Sequence, residues 1–257
     1  MIKFFRKIRQ QMLTENKVSK YLVYAIGEIV LVVIGILIAL QINNWNESRK
    51  SRVVEIELLK TIKTDLDRTL IDLKDDYEYH LESQKYGNRF KRFLLGEKML
   101  EDSIFLHFSY LSQDRHFFPN SVGYESFKTS EMNIISNDTL RLEIAELYEL
   151  TFPRIKEWDE SNPRWDISMA LHPYVNKHFI ITDQLVENQI SYSRYPEYKL
   201  ILKSLDEIRN DNGLQIDLQE TFQIRRRKIN LNLTGIERIE SVLSDINNEL
   251  EKLISDN

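Results

Sequence analysis

Residues 21–42 read YLVYAIGEIVLVVIGILIALQI, and this stretch decides the architecture. Only Glu28 and Gln41 interrupt 22 otherwise apolar or small residues. As a helix, a run of that length covers about 33 Å, against a bilayer hydrocarbon core of about 30 Å. A cleavable export signal has a shorter apolar region that ends in small residues. Here Gln41-Ile42-Asn43-Asn44-Trp45-Asn46 follows, with no A-x-A-like site. The run is therefore read as an uncleaved transmembrane helix over residues 20–43. Tyr21 and Trp45 flank it as interface anchors, because amphipathic rings settle at headgroup level.

Charge orients the span. Before it stand Lys3, Arg6, Lys7, Arg9, Lys17 and Lys20 against the single acid Glu15, a net of +5. The positive-inside rule then predicts a cytoplasmic N-terminus and a long C-terminal part on the other side. Residues 1–19 form a basic amphipathic leader. Phe5, Ile8 and Met12 share one helical face, while Lys3, Arg6, Lys7 and Arg9 crowd the other, an arrangement drawn to an anionic lipid surface. Taking the leader and Glu28 out of the chain's net −5 leaves −9 for residues 47–257. An acidic domain of this kind is not expected to bind nucleic acid.

Composition sets the fold class. Gly is 7 and Pro is 5 among 257 residues, under half of ordinary usage, so the many tight turns of a sandwich or barrel are excluded. Cys is 0, which excludes disulfide scaffolds, thiolate metal sites and cysteine nucleophiles. The expected fold is all-α: the membrane helix runs on into a long stalk, and a helical domain at 44–257 follows. Its parts are a stalk at 47–95, an aromatic-rich head at 96–212 and a return helix at 214–255. Leu59, Ile62, Leu66, Leu70, Leu73, Tyr77 and Leu81 give the stalk its three-to-four spacing. The return helix carries Phe222, Ile229, Ile236, Leu243 and Leu250 seven apart, with Ile239, Ile246 and Leu253 as companions. Arg225 and Asn232 interrupt that companion row. Such a stripe serves either as a core face packed on the stalk or as an intermolecular coiled coil.

Between these helices the sequence predicts a short helix at 102–112 capped by Asp102 or Ser103, and a loop at 114–123. Caps at Ser136 to Asp138 open a helix whose core positions are Leu140, Ile144, Leu147 and Leu150. Pro163 and Pro173 each suit the first position of a further helix. A last short helix at 197–210 is expected to end at Asp211-Asn212-Gly213.

No nucleophile elbow, phosphate loop or dinucleotide fingerprint occurs. His80, His107, His116, His172 and His178 lack ligand spacing, so neither a metal nor a cofactor is expected. Two constellations remain. Ala25, Glu28, Val32, Gly35 and Ala39 follow 3-4-3-4 spacing, and Gly35-x-x-x-Ala39 lets helices approach closely, which marks a membrane-helix association face around an acid. Arg115, Arg154 and Arg164 lie among the aromatics of the head, including Trp158 and Trp165, as a possible groove for an anionic group.

The segment MIKFFRKIRQQMLTENKVSKYLVYAIGEIVLVVIGILIALQINNWNE, together with Tyr124-Glu125-Ser126-Phe127-Lys128-Thr129-Ser130, Ile134-Ile135-Ser136-Asn137 and Leu140-Arg141, resembles a family of uncharacterised single-span membrane proteins of Gram-negative bacteria. This chain has Glu131 where family members often carry Gly. The resemblance implies an inner-membrane protein with a periplasmic helical domain, and it implies no activity. The sequence thus leads to the expectation of a non-enzymatic scaffold that contacts membrane lipid and binds a protein partner or a second copy through the membrane helix and heptad stripe. A receptor for a small periplasmic ligand and an ion-coupled subunit using Glu28 are the alternatives.

Overall fold

The computed structural model describes residues 18–130, 134–160, 166–185 and 198–255. The chain divides into two compact units, Met1–Glu55 and Ile56–Asn257. Helix α1, Val18–Leu94, belongs to both. In the first unit every large apolar side chain from Ile26 to Ile42 is exposed. An 18-residue window there has mean hydropathy 2.6 and no buried residue, so the segment is long and apolar enough to cross a membrane.

Among the described residues the second unit is helical apart from one antiparallel pair of strands. Its elements are the rest of α1, then α2 (Glu101–Ser112), α3 (Val122–Thr129), α4 (Asp138–Glu146), a π-turn at Leu147–Thr151, and α5 (Phe152–Glu160). After these come α6 (Ile167–His178), β1 (Phe179–Leu185), β2 (Tyr198–Leu202), α7 (Leu205–Arg209) and α8 (Asn212–Ser255).

Two apolar cores lie along α1 and α8. In the first, Leu59, Ile62, Leu66 and Leu73 of α1 meet Ile236, Ile239, Leu243, Ile246, Leu250 and Leu253 of α8, with Leu140, Ile144, Phe152 and Ile155 of α4 and α5 alongside. In the second, Phe90 and Phe93 of α1 and Leu214 and Leu218 of α8 enclose Phe108 and Leu111 of α2 and Leu171 and Val175 of α6. Each fully buried Leu, Ile or Phe contributes about 1.5–3 kcal/mol. Because α8 runs from the second core to the first, its last buried residues, Leu250 and Leu253, share a core with Ile56 and Leu59 of α1. The heptad stripe is packed against α1 within this chain, as the core face of the two alternatives requires. Gly235 makes the closest approach of α8: a Cβ there would sit 2.7 Å from Ile155 Cδ1 and 2.8 Å from Leu73 Cδ2. The gain in packing offsets the roughly 1 kcal/mol that glycine costs within a helix.

Several local expectations are corrected. Helix α2 begins at Glu101 after Leu100, and neither Asp102 nor Ser103 caps it. The loop expected at 114–123 already turns helical at Val122, because Asp65 of α1 accepts the Gly123 N–H at 2.6 Å. Leu150 is exposed although Leu140, Ile144 and Leu147 are buried. The π-turn adds a residue to that turn and rotates Leu150 off the core face. Pro173 lies inside α6 rather than at its start; the cap is Asp166, which accepts from Met169 N at 3.0 Å. The helix start expected at Pro163 lies outside the described residues.

Residues 198–202 pair as a strand rather than opening a helix. Phe179 faces Leu202, Ile180 faces Ile201 and Ile181 faces Leu200, antiparallel. The β-branched run Ile180-Ile181-Thr182 favours this extended form. Asp211-Asn212-Gly213 does follow the end of a short helix, α7, which stops at Arg209, and Asp211 also caps α8, accepting from Leu214 N at 3.1 Å. In α1, Leu81 is exposed because the buried row passes instead through His80, Ser83, Gly87 and Phe90.

Candidate functional site

Between the two cores α1 and α8 both turn polar on their inner faces. Arg225, Lys228 and Asn232 of α8 are buried opposite Tyr79, His80 and Ser83 of α1. Arg225 and Asn232 hold the companion row of the heptad stripe at the seven-residue spacing that Ile239, Ile246 and Leu253 continue. Fully buried Arg225 donates through Nη1 to His80 Nδ1 at 2.9 Å, and through Nη2 to the carbonyls of Leu111 at 2.9 Å and Gln113 at 2.7 Å. An arginine N–H only donates, so His80 accepts at Nδ1 and is neutral with its proton on Nε2. Burial, joined by the positive charges of Arg225 and Lys228, holds His80 well below the ordinary histidine range.

Around this pair, Lys228 Nζ lies 2.8 Å from Asp114 Oδ2, with both side chains almost wholly buried. Asp114 also accepts from Arg115 N at 3.0 Å and from Ile167 N at 3.2 Å, the first residue of α6. Arg115 bonds Asp76 at 3.2 Å and lies over the Tyr79 ring at 4.5 Å. The Tyr79 hydroxyl donates to Gln113 Oε1 at 3.2 Å. Three cations thus meet two carboxylates in a buried layer. Its donors are turned on backbone carbonyls, which ties the segment 111–115 and the start of α6 to the long helices. This is a lock, not a reactive constellation.

A second feature faces solvent. A cleft of about 450 Å³ opens where the end of the 114–121 segment, α3, the π-turn and α5 meet. Tyr124 and Tyr148 stack at 4.3 Å on its wall beside Phe152. Its charged lining is Glu125, Glu149 and Glu157 with Lys128 and Lys156. Lys128 reaches Glu125 at 2.8 Å and Glu149 at 3.9 Å, and lies over the Tyr124 ring at 5.3 Å. Its hydrogen bond with Glu125 raises the Lys128 ammonium above the ordinary lysine range. Burial, and then a hydrogen bond with Glu149, raises the Tyr124 phenol, so both groups stay protonated at neutral pH.

The position of α3 beneath this cleft depends on one glycine. A Cβ at Gly123 would fall 2.7 Å from Ile62 N and 2.9 Å from Ile62 Cα, so no larger residue fits against α1. Asn120 N donates to Thr69 Oγ1 at 2.9 Å, and the Tyr148 hydroxyl donates to Asn120 O at 3.2 Å, fixing the wall from both sides.

The residues singled out from sequence fall as follows. The five of the association stripe, Ala25, Glu28, Val32, Gly35 and Ala39, lie on the apolar part of α1, where a Cβ at Gly35 would meet nothing within 4 Å. Trp45 is exposed. Tyr21 belongs to α1, but its side chain is outside the described residues, as is the whole of the basic leader with Lys3, Arg6, Lys7 and Arg9.

Arg115 is part of the buried layer and Arg154 is exposed on α5, so these two do not converge. Arg164 and Trp165 lie outside the described residues, as does the side chain of Trp158. Phe108, Phe117, Tyr124, Tyr148 and Phe152 are core. His107 Nδ1 turns back on Ser103 O at 2.7 Å, and His178 Nε2 lies 2.6 Å from Asp211. Among the described residues no three metal-ligating side chains converge. Among the cleft residues Glu149 carries no sequence signal, and the i,i+3 Glu125–Lys128 pair is in sequence an ordinary surface feature.

A family model described as a family of unknown function (DUF6090) matches residues 28–162, just over half of the chain. That range contains the cleft and ends before Arg225 and Lys228. No curated protein and no solved structure matches the chain.

Proposed function

The chain belongs to the family of unknown function DUF6090, and we propose that it is a non-enzymatic single-pass inner-membrane protein of Gram-negative bacteria whose periplasmic helical domain binds a protein partner. The observation that carries the membrane part is the uncovered apolar surface from Ile26 to Ile42, which exposes hydrocarbon with no protein to bury it. The basic leader favours a cytoplasmic N-terminus. The association stripe around Glu28 supports a second span as neighbour: Gly35 makes no use of its small size within this chain.

Two features favour partner binding over a receptor for a small molecule. A buried polar layer lies between the two cores, and the cleft is open and lined by three glutamates and two lysines beside Tyr124, Tyr148 and Phe152, with no arginine. An open charged cleft suits another protein's surface. Photo-crosslinkers placed at Val32 and at Glu157 in native membranes test the reading. One reproducible adduct of fixed mass supports it. A protein that remains monomeric, with no reproducible adduct from either position, overturns it.

A further inference from the structure

We propose that the cleft beside Tyr124 and Tyr148 docks a basic segment of the partner protein, with one of that segment's lysine or arginine side chains held over the Tyr124 ring between the carboxylates of Glu125 and Glu149. The inference rests on the partner-binding reading above and gives the partner its chemistry.

Three observations lead to it. The first is the occupant already present. Lys128 sits over Tyr124 and between the two carboxylates, and an aromatic face with flanking carboxylates is what a cationic side chain requires. Lys128 is 43% exposed and its contact with Glu149 is long, at 3.9 Å, so a competing cation can displace it. The second is where the domain keeps its charge. Residues 122–160 hold nine Asp and Glu against four Lys and Arg, a net of −5 out of −9 for residues 47–257. The walls of the cleft thus belong to a net-acidic segment, which draws basic chains. The third is the rim. Phe118 and Val122, next in sequence to the lining residues Pro119 and Ser121, are about 70% exposed and give a docking chain apolar contact beside the charges.

The test uses the full-length protein in dodecyl maltoside, with a fluorescein-labelled peptide of alternating Lys and Ala as probe, followed by anisotropy at physiological salt. Glu125→Gln with Glu149→Gln should weaken binding by about tenfold or more, since two charge-assisted contacts are lost. Lys128→Ala should tighten binding by about threefold or more by removing the internal competitor. A misfolded variant does not gain affinity, so this second result separates the site from a folding effect.

Glu207→Gln with Glu220→Gln removes the same charge beside the second core and should change affinity less than about twofold. The inference is overturned if the peptide does not bind, if this control weakens binding as much as the cleft variant, or if Lys128→Ala leaves binding unchanged. It is also overturned if spermidine binds in place of the peptide. Crosslinking that traps a partner while the cleft variants leave the peptide unaffected removes the cleft and keeps the partner.

Discussion

Replacing Arg225 by methionine tests the buried polar layer. The side chain is fully buried and satisfies three acceptors: His80 Nδ1, Leu111 O and Gln113 O. Methionine keeps most of the volume and donates nothing. Each orphaned buried acceptor costs about 1–3 kcal/mol, and removing a buried charge returns part of that sum. The expected net loss is about 3–5 kcal/mol out of a stability ordinarily near 5–15 kcal/mol. For a domain of this size that corresponds to a fall in Tm of about 10 °C. Urea unfolding of the full-length protein in micelles, followed by circular dichroism, reads the loss, with the denaturant slope as a check that the unfolding unit is unchanged. Adding His80→Leu removes one orphaned acceptor and should restore about 1 kcal/mol, a coupling that independent sites do not show. If Arg225→Met unfolds within about 0.5 kcal/mol of the parent, the layer is not a lock and the account of it fails.

The same layer makes the domain acid-sensitive. Below the ordinary histidine pKa of about 6.5 the unfolded chain takes up a proton at position 80 that the folded chain refuses. Stability should therefore decline as pH falls, by up to about 1.4 kcal/mol per pH unit, until the lowered folded pKa is reached. Urea midpoints at pH 7 and 5.5 should show a smaller decline in His80→Gln, and an equal decline in parent and variant contradicts the assignment. Gly123→Ala should destabilise by about 2–4 kcal/mol, read in the same unfolding assay, because its Cβ meets the backbone of Ile62, which cannot turn aside. Asp211 is raised by burial, but hydrogen bonds from Lys177 and His178 outweigh this and bring it to about 2. Its contribution is complete above about pH 4 and fades as pH falls toward 2. Asp211→Ala should remove the α8 cap and cost about 1–2 kcal/mol in thermal melts at pH 7.

What was legible in the sequence followed from periodicity, and what was missed followed from local pairing. The apolar run at 21–42 and the rows on α1 and α8 are long signals, in which no single residue decides the outcome. Leu81 and Leu150 belong to the right helices but face the wrong way. A rotation of the buried row, or one added residue in a turn, moves a side chain off the core without altering the pattern of types. The paired strands Phe179–Leu185 and Tyr198–Leu202 are short and interrupt helical sequence, so only Ile180-Ile181-Thr182 hinted at them. Asp211 reads in the sequence as a stop, and the bond from Leu214 N adds the cap of the next helix, which begins at Asn212.

Arg225 and Asn232 read as breaks in a coiled-coil row, yet they fill that row as a polar layer. Seeing this required His80 and the 111–113 carbonyls, more than 100 residues away. The cleft was the least legible feature. Its residues are ordinary surface glutamates and lysines until α3, the π-turn and α5 bring them to one place.

Because the chain contains no cysteine, one introduced thiol reports its side of the membrane without background. Glu207→Cys in the head and Lys7→Cys in the leader should be treated separately with a membrane-impermeant maleimide, in cells whose outer membrane has been permeabilised. The account predicts that the thiol at 207 is labelled in these cells and the thiol at 7 only after lysis. Labelling of position 7 with protection of position 207, or both variants reacting only after lysis, contradicts a single crossing at residues 20–43 with the helical domain outside.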